Sequence, residues 1–213
     1  MNIYIKESKI KGAWLWIDKG YANAWKKEGF EVKHFNKLSD IQATEEFDIS
    51  IREWDIESID EISILQKARR VYIFAQPQKF PMPWGRHPNF ISTLSNNIIN
   101  MLNQMKNVYL WTFGSVNKEF HHMWKKVNTV PLAFDSISYK PIKDTRSTKY
   151  DICFIGGWAN NGFNEKRKII IKNFFEFKKS NLNCGFFINK NLSHKQENTI
   201  ICNSRLCLNI HDN

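Results

Sequence analysis

The amino-acid sequence predicts an α/β fold with largely parallel sheets, and three observations support this prediction. Short apolar segments of strand length alternate with longer segments of helical periodicity along almost all of the 213 residues. Apolar residues make up 42% of the chain and aromatic residues 14%, which is typical of a folded protein with a sizeable core. No window approaches 18 consecutive apolar residues, so we expect a soluble protein.

The first half of the chain is predicted to contain about six strands, each a short run rich in apolar residues. These strands are predicted at residues 2–5, 31–35, 47–51, 71–75, 108–112 and 129–133. Apolar residues at helical spacing place helices between them. The helices are predicted at residues 21–28, which Gly29 ends, at 59–68, from Pro88 to about Met105, and at 118–125.

The second half repeats the alternation after a polar segment. Residues 136–149 contain Pro141 and four basic residues, which is typical of a linker. Beyond it, strands are predicted at residues 152–156, 184–188 and 206–210, and helices at 165–178 and 194–203. We therefore expect a first domain at residues 1–135, a linker at 136–149 and a partial second domain at 150–213.

The chain is strongly basic, with a formal net charge of +10. A basic surface suits a phosphorylated ligand, a nucleic acid or an anionic membrane face to which the protein attaches peripherally. The alternative is that much of the charge is solvated helix surface with no ligand. The basic residues are spread along the chain, and nothing matches a known nucleic-acid-binding motif, so no specific nucleic acid is expected.

The cysteine and histidine pattern predicts no metal site. Cys153, Cys184, Cys202 and Cys207 form no C-x-x-C pair and lack a zinc-type spacing to histidine. His121 and His122 are adjacent, but the sequence suggests no third residue that would complete a metal site with them. Reduced thiols fit a cytoplasmic location.

The strongest local motif is a buried strand that runs into glycines and then into a basic helix. Tyr150-Asp-Ile-Cys-Phe-Ile-Gly-Gly157 is followed by Asn164-Glu-Lys-Arg-Lys168. Backbone N–H groups, a helix N-terminus and Lys or Arg side chains together suit a diphosphate. A simple glycine turn and ordinary helix-surface charge are the alternatives. Parallel sheets bind ligands at the carboxyl ends of their strands, so two tandem sheets place the site in the cleft between them.

Three segments resemble glycosyltransferases of the GT-B class, and most of all the group related to the spore-maturation protein CgeB, within glycosyl transferases group 1. Pro131-Leu-Ala-Phe-Asp135 resembles the end of that family's N-terminal domain. The strand ending at Gly157, with Lys166 and Arg167, is similar to its D-x-x-F-x-G…R opening of the donor domain. Ser204-Arg-Leu-Cys-Leu-Asn-Ile-His211 is similar to its S-K-x-x-L-N-x-H strand, with Arg205 in place of the Lys.

The resemblance implies two Rossmann-like domains facing each other across a cleft, and a metal-independent enzyme without a cofactor. Its substrate would be a nucleotide-diphosphate sugar, and its acceptor a glycan, protein or lipid that the sequence does not specify. In that family the donor domain continues with an acidic, glycine-containing segment. This chain ends at Asn213, so we expect the donor domain to be incomplete.

The resemblance, together with the motifs, gives each candidate residue a role. Arg167 is expected to neutralise the leaving diphosphate, and His87 is a candidate general base for the acceptor hydroxyl. The residues expected on the donor side are Gly156, Gly157, Lys166, Asn209 and His211. The residues expected on the acceptor side are Gly12, Trp14 and Trp84. Asp18 is expected only to cap the helix that follows it.

Two other functions compete with sugar transfer. The first is a non-catalytic basic module that binds nucleotides, nucleic acid or an anionic surface. The second is a sugar- or nucleotide-binding protein that has lost catalysis, which an incomplete donor domain makes credible. The sequence leaves open the donor sugar, the acceptor, the stereochemical outcome and the oligomeric state.

Overall fold

The structure is a computed structural model that describes residues 1–6, 13–42, 44–75, 94–112, 122–130, 135–142, 148–157 and 164–209. The chain divides into two compact units, Met1–Phe134 and Asp135–Asn213. Each unit is built around its own parallel sheet, as the α/β prediction requires. Within the described residues, no helix has the length and apolar character needed to cross a membrane.

The first unit contains a six-stranded sheet in the order β2-β1-β3-β4-β5-β6, in which all neighbouring strands are parallel. The strands are β1 Asn2–Lys6, β2 Glu31–Phe35, β3 Phe47–Arg52, β4 Arg70–Phe74, β5 Val108–Thr112 and β6 Val127–Thr129. The described helices of this unit are α1 Ala13–Lys27, α2 Ile62–Lys67 and α3 Asn96–Gln104. Short 3-10 turns occur at Leu38–Asp40, Glu53–Asp55 and Ile59–Glu61.

The two faces of this sheet have separate cores. Ile3 and Ile5 of β1 pack with Ala22 of α1 on one face. The larger core, on the other face, includes Ile49 and Ile51 of β3 and the buried residues of α2 and α3. Because β1 lies between β2 and β3, the chain reverses direction across the sheet at the β1–β3 boundary. In doubly wound folds, ligands bind at the carboxyl ends of the strands at such a boundary.

The first five strands lie within one residue of their predicted bounds, but two helices begin at other residues than predicted. The first helix begins at Ala13 rather than at residue 21, although Gly29, with φ 86°, ends it as expected. The helix predicted from Pro88 begins at Asn96, because the Ser95 side chain accepts a hydrogen bond from the Ile98 N–H and caps it. Residues 76–93 lie outside the described part of the chain.

The region before β6 also differs from prediction. Residues 122–125 of the predicted helix at 118–125 form turns and bends, and β6 begins two residues earlier than predicted. The cause is Asn103 of α3. Its amide donates to the Met123 carbonyl at 2.7 Å and accepts from the Lys125 N–H at 2.8 Å. Both bonds hold residues 123–125 in a turn that no periodicity in the sequence indicates.

The second unit contains a three-stranded parallel sheet in the order β8-β7-β9. The strands are β7 Tyr150–Gly156, β8 Cys184–Ile188 and β9 Ser204–Leu208, and the helices are α4 Asn164–Lys179 and α5 His194–Cys202. This order matches that of β2-β1-β3 in the first unit. β9 begins two residues earlier than predicted. The Asn203 carbonyl accepts hydrogen bonds from the Lys149 and Tyr150 N–H groups, and these bonds align β9 beside β7.

The start of the segment predicted as a linker is hydrogen-bonded to α5. The Tyr139 hydroxyl donates to Glu197 at 2.6 Å, and the Asn198 amide donates to the Lys140 carbonyl at 2.8 Å. Asp135 accepts hydrogen bonds from the Ile137 and Ser138 N–H groups. Residues 135–140 therefore form part of the second unit.

The second unit leaves large apolar side chains in contact with solvent. Leu206 of β9 is 64% exposed and Phe175 of α4 is 55% exposed. β3, which holds the equivalent position in the first sheet, is buried along its whole length and has β4 at its second edge. Within the described residues, β9 pairs only with β7.

Candidate functional site

The predicted diphosphate site lies at the carboxyl end of β7, the central strand of the second unit. Gly156 is the last residue of this strand, and Gly157 follows it. The helix α4 begins at Asn164, with Lys166 half-buried and Arg167 exposed in its first turn. Residues 158–163, between the glycines and the helix, are outside the described part of the chain. The strand–glycine–helix order predicted from the sequence is therefore present, and the loop geometry at its centre stays a prediction.

The end of β7 is closely packed against the end of β8. The Asn189 N–H donates to the Gly156 carbonyl at 2.9 Å, and Asn189 adopts the left-handed conformation with φ 52°. A Cβ atom placed on Gly157 would lie 2.8 Å from the Asn189 side-chain oxygen. Gly157 thus has a packing reason to be glycine, and its access to an anion stays a prediction.

Asn209 directly follows β9, which is the other neighbour of β7. Because the strands are parallel, the carboxyl ends of β7 and β9 lie at one edge of the sheet. Asn209 and the glycines therefore share this edge, as predicted, and Asn209 is exposed there. His211 lies outside the described residues.

Most residues predicted for the acceptor side cannot be placed. Gly12, Trp84 and His87 are outside the described residues. Trp14 belongs to α1, but its side chain is not among those described. The general-base role of His87 and the acceptor-side roles of Gly12, Trp14 and Trp84 thus stay predictions.

A charged cluster in the first unit was not foreseen as a site. Asp18 lies inside α1 and does not cap it, so the predicted capping role is wrong. Its carboxylate pairs with the guanidinium of Arg52, the last residue of β3. The two side chains are only 15% and 10% exposed, so this is a largely buried ion pair.

The residues that follow Arg52 complete the cluster. Glu53 is fully buried, and the guanidinium carbon of Arg52 lies 5.6 Å from the centre of the Trp54 ring. Asp55 accepts a hydrogen bond from the Arg52 N–H at 3.1 Å. Burial raises the pKa of the Asp55 carboxyl, and Asp18 adds to this, while the hydrogen bond and the charges of Arg52 and Lys6 act in the opposite direction.

The electrostatics of the cluster extend to α1. Burial raises the pKa of Tyr21, and the nearby carboxylate of Asp18 raises it further. The Tyr21 ring packs against Phe74 of β4, with 4.6 Å between the ring centres. The cluster therefore lies at the carboxyl ends of β1, β3 and β4, on the face of the sheet that α1 covers.

One signal in the sequence could have revealed this cluster. The run Arg52-Glu-Trp-Asp55 directly follows a strand whose alternate residues are all apolar. Charged residues at the carboxyl end of a parallel strand occupy the position where such sheets bind ligands. The candidate residues predicted from the sequence follow the first strand, the fourth strand and those of the second domain, and none of them follows the third.

The described residues contain no group of three or more His, Cys, Asp or Glu side chains placed to hold a metal ion. The chain shows no significant match to any protein-family model, curated protein or solved structure. The arrangement of the chain's own residues is accordingly the basis for a functional proposal.

Proposed function

We propose that this protein is a metal-independent glycosyltransferase of the GT-B type, in which two Rossmann-like domains face each other across a cleft. In this proposal the second unit binds the diphosphate of a nucleotide sugar. One observation carries it: the central strand β7 ends in Gly156 and Gly157 and is followed by a helix with a basic first turn. The resemblance of the segments from Pro131 onward to the CgeB-related group supports the same assignment.

The charges in the first turn of α4 favour an anionic ligand. The N-terminus of a helix carries the positive end of its dipole, so cations there are unfavourable by about 0.3–1 kcal/mol each. The first five residues of α4 nevertheless include Lys166, Arg167 and Lys168 beside one acid, Glu165. A bound diphosphate would be attracted by these cations and would accept hydrogen bonds from the N–H groups at the helix start.

The same contacts would serve the chemical step. When the bond between the anomeric carbon and the diphosphate oxygen breaks, negative charge accumulates on the leaving diphosphate. Arg167 is the residue proposed to stabilise that charge, because its planar guanidinium can form two parallel hydrogen bonds to phosphate oxygens. The acceptor hydroxyl loses its proton as the new glycosidic bond forms, and the first unit is proposed to contribute the base.

Calorimetric titration of the full chain with UDP, GDP and dTDP tests the binding half of this proposal. At least one nucleotide should bind, and Arg167→Ala should weaken it by about tenfold or more. Lys172→Ala is the matched control, because Lys172 is an exposed cation on the same helix and the change in net charge is the same. Equal effects of the two variants, or no binding of any of the three nucleotides, would reject the assignment.

The catalytic half is tested by release of nucleoside diphosphate from sugar donors of whichever nucleotide binds. Arg167→Ala should lower turnover by a factor of about ten to a thousand, as for loss of one electrostatic contact in the transition state. Tight nucleotide binding with no release from any donor would instead identify a binding protein without transferase activity.

A further inference from the structure

The β1–β3 boundary of the first unit is the place where its topology favours a ligand. β1 and β3 are neighbouring parallel strands, with Ile5 opposite Ser50. The helix that follows β1 packs on one face of the sheet, and α2, which follows β3, packs on the other. Connections that diverge in this way leave a crevice at the carboxyl ends of the two strands. Lys6 and Arg52 are the last residues of these strands.

The polar residues at this position fall into two groups by exposure. Asp18 and Arg52 are largely buried, and their side chains hold each other in place. Trp54 and Asp55 are half-buried, so solvent reaches part of each side chain. Arg52 fixes both of them: its guanidinium lies over the Trp54 ring, and its backbone N–H donates to the Asp55 carboxylate. The buried pair thus positions one aromatic and one acidic side chain at the surface.

We propose that this surface binds the acceptor as a neutral carbohydrate, with the Trp54 ring against the apolar face of a sugar and Asp55 accepting hydrogen bonds from its hydroxyl groups. Asp18 and Arg52 act as positioning residues. Naming the bound sugar as the acceptor rests on the proposed function, since a transferase requires a hydroxyl-bearing second substrate. Carbohydrate binding itself can be measured without it.

The two half-buried side chains, Trp54 and Asp55, suit a neutral sugar rather than a phosphate. A phosphate placed against the Asp55 carboxylate would be repelled by it. A sugar offers a flat C–H surface for an aromatic ring and hydroxyl donors for a carboxylate. Side chains already fixed by their neighbours bind such a ligand at a lower entropic cost.

Saturation-transfer NMR of the full chain tests the proposal. The probes are the methyl glycosides of glucose, galactose, mannose and N-acetylglucosamine. At least one should receive saturation from the wild-type protein. That signal should fall by about tenfold in Trp54→Ala and in Asp55→Asn, and it should persist in part in Trp54→Phe, which retains an aromatic ring.

Asp60→Asn provides the matched control, because Asp60 is an exposed acid just after the cluster. Its signal should equal that of the wild type. Far-ultraviolet circular dichroism confirms that each variant is folded. The proposal is overturned if no glycoside gives a signal, or if the signal survives unchanged in both folded cluster variants.

Nucleotide titration separates failure of this inference from failure of the proposed function. Asp55→Asn should bind UDP, GDP or dTDP as the wild type does, because these nucleotides are assigned to the second unit. Nucleotide binding without any glycoside signal would overturn the carbohydrate site alone. A glycoside signal that depends on Trp54, without nucleotide binding, would overturn the transferase and leave a carbohydrate-binding site.

Discussion

The carboxylate of Asp18 on α1 pairs with the guanidinium of Arg52 at the end of β3, so that a helix residue and the last residue of an interior strand form one ion pair. The two residues are 34 positions apart in the sequence. Their side chains are 15% and 10% exposed, so removal of either partner leaves a poorly solvated charge. This pair links α1 to the edge of the sheet where the carbohydrate site is proposed.

We expect Asp18→Asn or Arg52→Gln alone to lower the free energy of unfolding by about 3 kcal/mol, as for loss of one partner of a buried pair. The double variant should lose less stability than the two single variants lose in sum, and the difference should exceed about 1 kcal/mol. The reason is that neither buried charge then remains without its partner. Urea unfolding of the four proteins measures both values.

The exposed pair of Lys33 and Glu31, which are 41% and 68% exposed, offers the comparison. Glu31→Gln should change the free energy of unfolding by less than about 1 kcal/mol, as for surface ion pairs in general. If the effects of the Asp18 and Arg52 substitutions simply add, the two side chains are not energetically coupled, and Arg52 would not be held by Asp18.

The raised pKa of Asp55 predicts a particular pH dependence of stability. Burial disfavours its charged form, so the folded protein holds this proton more tightly than the unfolded chain does. The contribution of Asp55 to stability is then largest at acid pH and falls as the pH rises through its raised pKa. Asp55→Asn removes this dependence.

Urea unfolding of wild type and Asp55→Asn between about pH 3 and pH 7 covers the range in which an aspartate of this kind titrates. The wild type should lose stability relative to the variant as the pH increases. A wild type that instead gains relative stability over this range would mean that Arg52 and Lys6 outweigh burial at this carboxylate.

The sequence was sufficient to predict the α/β class, the six strands of the first unit and the three strands of the second. Short continuous apolar runs indicate strands, and they differ clearly from the spacing of apolar residues in a helix. It did not predict where α3 and β6 begin. Those boundaries depend on hydrogen bonds of two polar side chains, Ser95 and Asn103, with backbone groups. Single side-chain contacts of this kind leave no periodic trace in a sequence.

The two candidate sites also differed in how far the sequence alone could reveal them. Gly156 and Gly157 were visible because glycines directly follow an apolar run and lie close to their helix in the sequence. The pairing of Asp18 with Arg52 depends on β1 and β3 being neighbours, and strand order cannot be read from local patterns. The capping role of Asp18 was predicted because the first helix was expected to begin at residue 21, whereas α1 begins at Ala13.

Gly157 allows the packing and binding roles of a glycine to be separated. In Gly157→Ala the new Cβ would lie 2.8 Å from the Asn189 side-chain oxygen, so Asn189 must move and stability should fall by about 1 kcal/mol. Adding Asn189→Gly removes that oxygen and tolerates the φ of 52° at this position. The double variant should recover stability.

If the diphosphate approaches the Gly157 backbone, the affinity for UDP, GDP or dTDP should stay about tenfold or more below that of the wild type in the double variant. Asn189→Gly alone is the control and should bind nucleotide normally. Recovery of affinity together with stability would show that Gly157 is needed only for packing against Asn189.

Cys153 and Cys207 are register partners on the neighbouring strands β7 and β9. Cys207 belongs to an exposed part of β9, and only part of its side chain is shielded from solvent. Burial of the thiol and then the neighbouring Cys153 raise the pKa of Cys207 to about 11. At neutral pH very little thiolate, the reactive form, is therefore present.

Compared with an ordinary thiol of pKa about 8.5, Cys207 should have about 300-fold less thiolate at pH 7.5. The greater nucleophilicity of a basic thiolate recovers part of this, so iodoacetamide should label Cys207 about 20-fold more slowly. Peptide mass spectrometry gives the rate at this residue. The rate should continue to increase up to about pH 11. Cys153→Ala should raise the rate at pH 7.5, because that variant removes the contribution of Cys153 to the high pKa. A rate that levels off near pH 9 in the wild type would mean that Cys207 is solvated as an ordinary exposed thiol and that β9 does not hold it against Cys153.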